Sequence, residues 1–312
     1  MKINLFQNLI DIIRRKKDIK LVDTIKSFDY EKAEKIKNNS EQVWFVSGTS
    51  SGIGFSLVQM LLENGYKVAA ASRNINSLEN LKVRFKNNLL ILKMDVTNNT
   101  EVENAIDTAL LYFKKIDVLV NNAGISSFTT IEEFKEEDQK YLFEVNFWGT
   151  LRTIKHIIPY FRTHKKGLII NISSICGVHP TIGTSFYSAS KHALESISES
   201  LFDEISSFGC DVVLIEPGVV KTHLCKHVKI NYPQVEEYKT IYSNSIKNIE
   251  NDAEYNSTNA IYPEFATCKI IEISKLKNRP RHVLIGNDAQ VIAENYLTKR
   301  LKEYKIFRNY NK

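Results

Sequence analysis

Short apolar runs alternate with longer amphipathic stretches from residue 43 to residue 286. "VWFVS" (43–47), "KVAAAS" (67–72), "LLILKM" (89–94), "IDVLVNN" (116–122), "GLIINIS" (167–173) and "DVVLIEP" (211–217) are the clearest, and "RHVLIG" (281–286) makes a seventh. Continuous apolar runs of this length, bounded by turn residues, suit strands buried on both faces of a parallel sheet. Helical patterns fall between them, from Ile53 to Asn64, Leu78 to Phe85, Thr100 to Phe113, Gln139 to Phe161 and Tyr187 to Phe208, with another starting near Glu264. Gly65 suits the left-handed end of the first helix. Thr100 and Glu103 read as a capping box opening the third. Strands alternating with helices of this length predict right-handed βαβ units, and so a doubly wound α/β fold with helices covering both faces.

Two regions depart from the rhythm. Residues 222–263 are polar and rich in Tyr and Asn, and a long excursion there predicts a lid or substrate loop. Residues 1–42 form an N-terminal extension ahead of a single domain spanning 43–312. Ile3, Phe6, Ile10 and Ile13 fall at helical spacing, which predicts an amphipathic helix docked on the protein or a neighbouring subunit, with a membrane-surface helix as the alternative. Asp11 and the Arg14–Lys17 basic cluster do not fit a secretory signal.

Composition narrows the class. The net charge of +6 is concentrated at the ends: ten Lys/Arg against seven Asp/Glu in residues 1–42, and six against one in residues 299–312. The near-neutral middle does not indicate a nucleic-acid face. The basic tail reads as a solvated end, with peripheral membrane contact as the minority reading. No apolar run approaches the length of about 20 residues needed to cross a bilayer. Cys176, Cys210, Cys225 and Cys268 are widely spaced without zinc-ligand companions, which predicts reduced thiols, a cytoplasmic location and no metal. His223 and His227 have helical spacing but no Glu between them and no evident third ligand. Neither "SSICG" nor "TSSGIG" reads as the G-x-S-x-G elbow of a serine hydrolase.

The residues with chemical potential gather after the strands, where open α/β sheets bind their ligands. "SGTSSGIG" follows the first strand, with Gly48, Gly52 and Gly54 leading into a helix; this suits a pyrophosphate lying on a helix N-terminus. The second strand ends in Ser72 and Arg73 where an NAD site usually carries a carboxylate, and a guanidinium suits a 2′-phosphate, which favours NADP(H) over NAD(H). Asp95 and Val96 follow the third strand, "NNAG" (121–124) the fourth, "SSICG" (173–177) the fifth and "EPGVVKT" (216–222) the sixth. Of fourteen tyrosines, only Tyr187 has a lysine four residues on, Lys191, in "YSASK". Residues i and i+4 share a helix face, so the ammonium can stabilise a phenolate and make a proton donor usable near neutral pH.

Taken in order and spacing, "SGTSSGIG", "NNAG", Asn146 in "EVNFWGT", Ser174, "YSASK" and "EPG" resemble the short-chain dehydrogenase/reductase family over about Val43 to Gly286. The likeness is to its compact branch, with the bacterial ketone reductases and the hydroxysteroid and retinol dehydrogenases. It implies a Rossmann fold with strand order 3-2-1-4-5-6-7 and a homodimer or homotetramer. It also implies a small carbonyl or alcohol substrate and a tetrad of Asn146, Ser174, Tyr187 and Lys191. Tyr187 would exchange a proton with the substrate oxygen and Ser174 would polarise it. Lys191 would hold the nicotinamide ribose, and Asn146 would steady a water. The cofactor contacts implied are Gly48, Ser50, Ser51, Gly52, Ile53, Gly54, Ser72, Arg73, Asp95, Val96, Asn121, Ala123, Gly124, Tyr187, Lys191, Pro217, Gly218, Val220 and Thr222. Ser47 stands where the family usually has threonine, and the N-terminal extension has no counterpart in the compact branch. A non-catalytic NADPH sensor is the alternative class, against which the intact tetrad argues. Sugar-nucleotide modification, as in the longer branch, is disfavoured by the glycine spacing.

Overall fold

Alternation of side chains across the pleat explains the sheet. In the first strand, β1 (Val43–Ser47), Trp44 and Val46 join one apolar layer while Phe45 joins the other. The same division holds for Val118 and Val120 against Leu119, and for Leu168, Ile170 and Ile172 against Ile169. A slip of one residue in either strand would exchange the two faces. The computed structural model describes residues 41–308 apart from 223, 225–227 and 251–259. The expected N-terminal helix and the His223/His227 pair therefore lie outside the described residues.

After β1 the order is α1 (Gly52–Glu63), β2 (Lys67–Ser72), α2 (Glu79–Phe85), β3 (Leu89–Lys93), α3 (Asn99–Phe113), β4 (Val118–Asn121), β5 (Ser127–Phe128), α4 (Glu136–Phe143), α5 (Gly149–His164) and β6 (Gly167–Ile172). It continues with α6 (Ser185–Ile205), β7 (Cys210–Pro217), β8 (Lys229–Ile230), α7 (Glu236–Glu250), α8 (Pro263–Ser274), β9 (His282–Ile285) and α9 (Asn287–Arg308). Seven parallel strands run in the order β3-β2-β1-β4-β6-β7-β9, the expected Rossmann topology. Apolar side chains of α1, α2 and α8 pack on one face, and those of α3, α5 and α6 on the other. Burying each large aliphatic side chain contributes about 1.5–3 kcal/mol, so this two-sided core is what fixes the strand ends that carry the site. No helix among the described residues is long and apolar enough to cross a membrane.

Local chemistry alters three expectations. Helix α3 is capped by Asn98, whose side chain accepts from the amides of Thr100 and Glu101, and not by Thr100 with Glu103. The helix expected over 139–161 is divided by a π-helical turn, Glu144–Trp148, between α4 and α5. The 222–263 excursion contains α7 and β8, and β8 pairs in parallel with β5. Tyr242 of α7 is buried against Phe128, with ring centroids 5.6 Å apart. The basic tail is helical as far as Arg308.

Candidate active site

The glycine turn after β1 is held by backbone geometry. Gly48 and Gly52 have φ of +69° and +58°, which favours glycine. A Cβ on Gly48 would lie 2.6 Å from Ala123 Cα, and one on Gly54 would run into Gly48 O and Asn122 Nδ2. Ser51 is the extended N-cap of α1, and its side chain makes no cap hydrogen bond. The first amides of α1 are thus left for an anion, with Ser50, Ser51 and Ile53 at the turn. Ser47 Oγ accepts from the amides of Asn122 and Ala123 at 3.1 and 3.3 Å, so the hydroxyl there ties this turn to the one after β4.

Asn122, which is not among the expected cofactor contacts, donates from Nδ2 to the carbonyls of Ser47 and Gly48. Asn121 points the other way. Its side chain is buried, donating to Asn171 Oδ1 and accepting from Thr153 Oγ1 at 2.5 Å. That side chain is not available to a cofactor, because successive residues at a strand end face opposite sides.

At the ends of β2 and β3, Ser72 is buried and donates to Asn74 O at 2.6 Å. Arg73 is exposed; it donates to Tyr141 Oη at 2.7 Å and lies 4.0 Å from Asp95. Asp95 accepts from the amide and hydroxyl of Thr97. Val96 is buried against Gly149, where a Cβ would meet its side chain at 2.8 Å. After β7, the amide of Gly218 donates to Ile285 O, and that of Val219 to Asp288 Oδ2 at 2.8 Å. Val220 bridges to Ile261, and a Cβ on Gly52 would touch Thr222 at 3.3 Å. The Pro217–Thr222 segment therefore leans over the glycine turn. Asp288 was not legible as part of this arrangement, since it lies in the first turn of α9, 69 residues beyond the amide it accepts from.

The other end of the candidate site is built on α6. Lys191 is buried, and its Nζ donates to Ile172 O at 2.9 Å and lies 5.9 Å from the centre of the Tyr187 ring. Burial pushes the ammonium down to about 8, with Glu195 opposing the change. A Cβ on Gly124 would sit 3.6 Å from Lys191 Nζ and 3.5 Å from Asn146 Oδ1, so these three meet. The π-helical turn carries Asn146, whose Oδ1 accepts from Ile125 N while Nδ2 donates to Ile125 O and Ser190 Oγ. Such turns often occur at functional sites. Ser174 caps a short turn packed on α6, and its Oγ accepts from Cys176 N at 3.1 Å. His192 turns back to Ser188 O, and His179 packs edge-on against Tyr296.

A glycine turn on a helix N-terminus, tied through the Asn122–Gly124 turn to a buried lysine that shares a helix with a tyrosine, suits a dinucleotide and a proton donor side by side. A short chain dehydrogenase family model matches residues 42–232. The chain belongs to the short-chain dehydrogenase family. It is an oxidoreductase of that family, and its relatives cover most of its length. The 3-ketodihydrosphingosine reductase of Bacteroides thetaiotaomicron is 34% identical over 271 residues, which is 85% of this chain and 96% of that one. A short-chain dehydrogenase from Streptomyces avermitilis superposes with a TM-score of 0.79 at 27% identity, covering 88% of this chain and 98% of the other. A family member from Burkholderia phymatum, solved with NAD, shares the fold at a TM-score of 0.67 and 21% identity, covering 78% and 88%.

Proposed function

We propose that the protein is an NADP(H)-dependent oxidoreductase that interconverts an alcohol and its ketone or aldehyde, with Tyr187 as general acid and base. The observation that carries this reading is the buried Lys191, held on Ile172 O against the Gly124 turn and on the same helix as Tyr187. The glycine turn fits a dinucleotide, because a Cβ at Gly48 or Gly54 would fill the close approaches that shape it. When bound, the reduced nicotinamide supplies the hydride.

The protein's own groups then have separate tasks. Tyr187 gives its phenolic proton to the carbonyl oxygen in reduction and takes it back in oxidation. The Ser174 hydroxyl accepts from Cys176 N, so its own O–H is left to donate to the substrate oxygen. Lys191 spends one of three N–H donors on Ile172 O, and the others can hold ribose hydroxyls. Both Asn146 amide hydrogens are committed, so its side chain fixes the Ile125 backbone and only the second lone pair of Oδ1 remains for a water. Arg73, exposed at the end of β2, supports a 2′-phosphate and hence NADP(H).

The likeness to a 3-ketodihydrosphingosine reductase supports a ketone on a long alkyl chain as the first substrate class to test. The experiment is a panel of long-chain amino ketones, simple alkyl ketones and short aldehydes, offered with NADPH and in parallel with NADH. NADPH-dependent turnover, highest for the long-chain ketones, is expected. Tight NADPH binding without turnover across the panel would contradict the catalytic reading and favour a sensor.

A further inference from the structure

Helix α9 lies partly on the body of the protein and partly off it. Its first turns are anchored. Asp288 Oδ2 accepts from Val219 N, Ala289 and Ala293 are buried, and Tyr296 packs edge-on against His179 with ring centroids 4.7 Å apart. From Leu297 to Ile306 every residue is exposed, so the helix runs on for about three more turns clear of the core.

That outer half has a pattern of its own. Ala289, Ala293 and Tyr296, at i, i+4 and i+7, make the anchored face. Leu297, Leu301 and Tyr304 repeat the spacing about 80° round the helix. They are 52%, 53% and 62% exposed. Basic side chains surround this apolar stripe. Between Leu297 and Arg308 stand Lys299, Arg300, Lys302, Lys305 and Arg308, against the one carboxylate of Glu303. Arg300 and Lys305 flank the stripe on its two sides, about 70° from its middle, and Arg308 lies in line with it. Arg300 Nε donates to Tyr304 Oη at 2.6 Å, which sets its guanidinium beside the stripe. A helical segment this short is marginal in water without an apolar surface to lie on.

We infer that the outer half of α9 docks on an anionic lipid surface. The helix would lie in the plane of the headgroups, with Leu297, Leu301 and Tyr304 inserted and the basic side chains among the phosphates. Two features choose this occupant. A partner must cover three adjacent apolar side chains and also meet five positive charges around them, and the headgroup boundary of an anionic bilayer offers both at one depth. Lysine and arginine can lay their methylenes along the apolar layer and keep their charge at the phosphates. A second copy of the chain on the same stripe would instead set this basic segment against itself. The inference does not depend on the reaction proposed for the site. It does bear on where that site sits, because the anchored half of α9 touches the Pro217–Thr222 segment through Asp288 and the loop after Ser174 through Tyr296.

The test is co-sedimentation of the full-length protein with vesicles of equal parts phosphatidylglycerol and phosphatidylcholine, and with vesicles of phosphatidylcholine alone. Binding to the anionic vesicles is expected, weakened at about 1 M salt, where the screening length falls to about 3 Å. Removing two charges in Lys305→Gln/Arg308→Gln should weaken it about 25-fold, since each basic residue near an anionic surface contributes about fivefold. Leu297→Gln/Leu301→Gln should weaken it by about as much or more. All four positions are exposed and outside the candidate site, so NADPH affinity on the same preparations should be unchanged and reports that each variant is folded. No binding to the anionic vesicles, equal binding to both kinds, or binding unchanged in both double variants overturns the inference. A dimer that Leu297→Gln/Leu301→Gln dissociates, with no vesicle binding by the parent, would assign the stripe to a second copy and overturn it too.

Discussion

The two ends of the candidate site are made from different materials. At the glycine turn, the chain offers backbone amides, a helix N-terminus and close contacts that exclude a Cβ at Gly48 and Gly54. At the α6 end it offers side chains, with Lys191, Glu195 and Glu216 all buried and all with ionisation shifted by that burial. The first end carries charge complementarity in fixed dipoles, which do not titrate. The second carries it in groups that exchange protons, Lys191 at about 8 and Glu195 at about 7, with Glu216 raised by its burial. The account thus separates holding a cofactor, which depends on shape, from moving a proton, which depends on pH.

The largest effect expected from breaking the first end is that of Gly54→Ala. The added methyl meets Gly48 O and Asn122 Nδ2, so the turn must open. NADPH affinity measured by fluorescence titration should fall by about 100-fold or more. The deficit should be the same at pH 6 and pH 9. A deficit that varied strongly with pH would blur the distinction between the two ends.

A smaller effect sharpens the same end. Arg73→Ser removes a guanidinium whose side chain is 59% exposed, where a phosphate can reach it. A charge-assisted hydrogen bond contributes about 1.5–3 kcal/mol, so the NADPH dissociation constant should rise about tenfold or more. NADH binding should change little. Equal losses for the two cofactors would show that Arg73 supports the fold of the strand end and does not read the phosphate.

The two ends also differed in how much the sequence disclosed. Glycine turns, strand ends and the Tyr187/Lys191 spacing are local, so the fold class and most candidate residues could be read directly, while the strand order was implied by the resemblance those motifs carry. Central strands are legible because burial on both faces forces continuous apolar runs. What escaped was set by contacts distant in sequence. Glu195 is four residues from Lys191, but its surroundings come from Ser173, Glu216 and His282 on three separate segments. The π-helical turn at Asn146 is fixed by the Ile125 backbone, 21 residues away. Helix α7 was obscured by its polar composition, although Glu236 and Glu237 in its first turn were a usable signal. Asn121 and Asn122 are adjacent in one motif, and only the pleat decides which side chain serves the turn.

The central claim is that one phenol moves the proton while the glycine turn holds the cofactor. Its most direct test is Tyr187→Phe, with kcat and the NADPH dissociation constant measured on the same preparation. The account predicts a loss in kcat of about 1,000-fold, with NADPH affinity within a few-fold of the parent. Turnover retained near the parent level, or cofactor affinity lost in step with turnover, would contradict it.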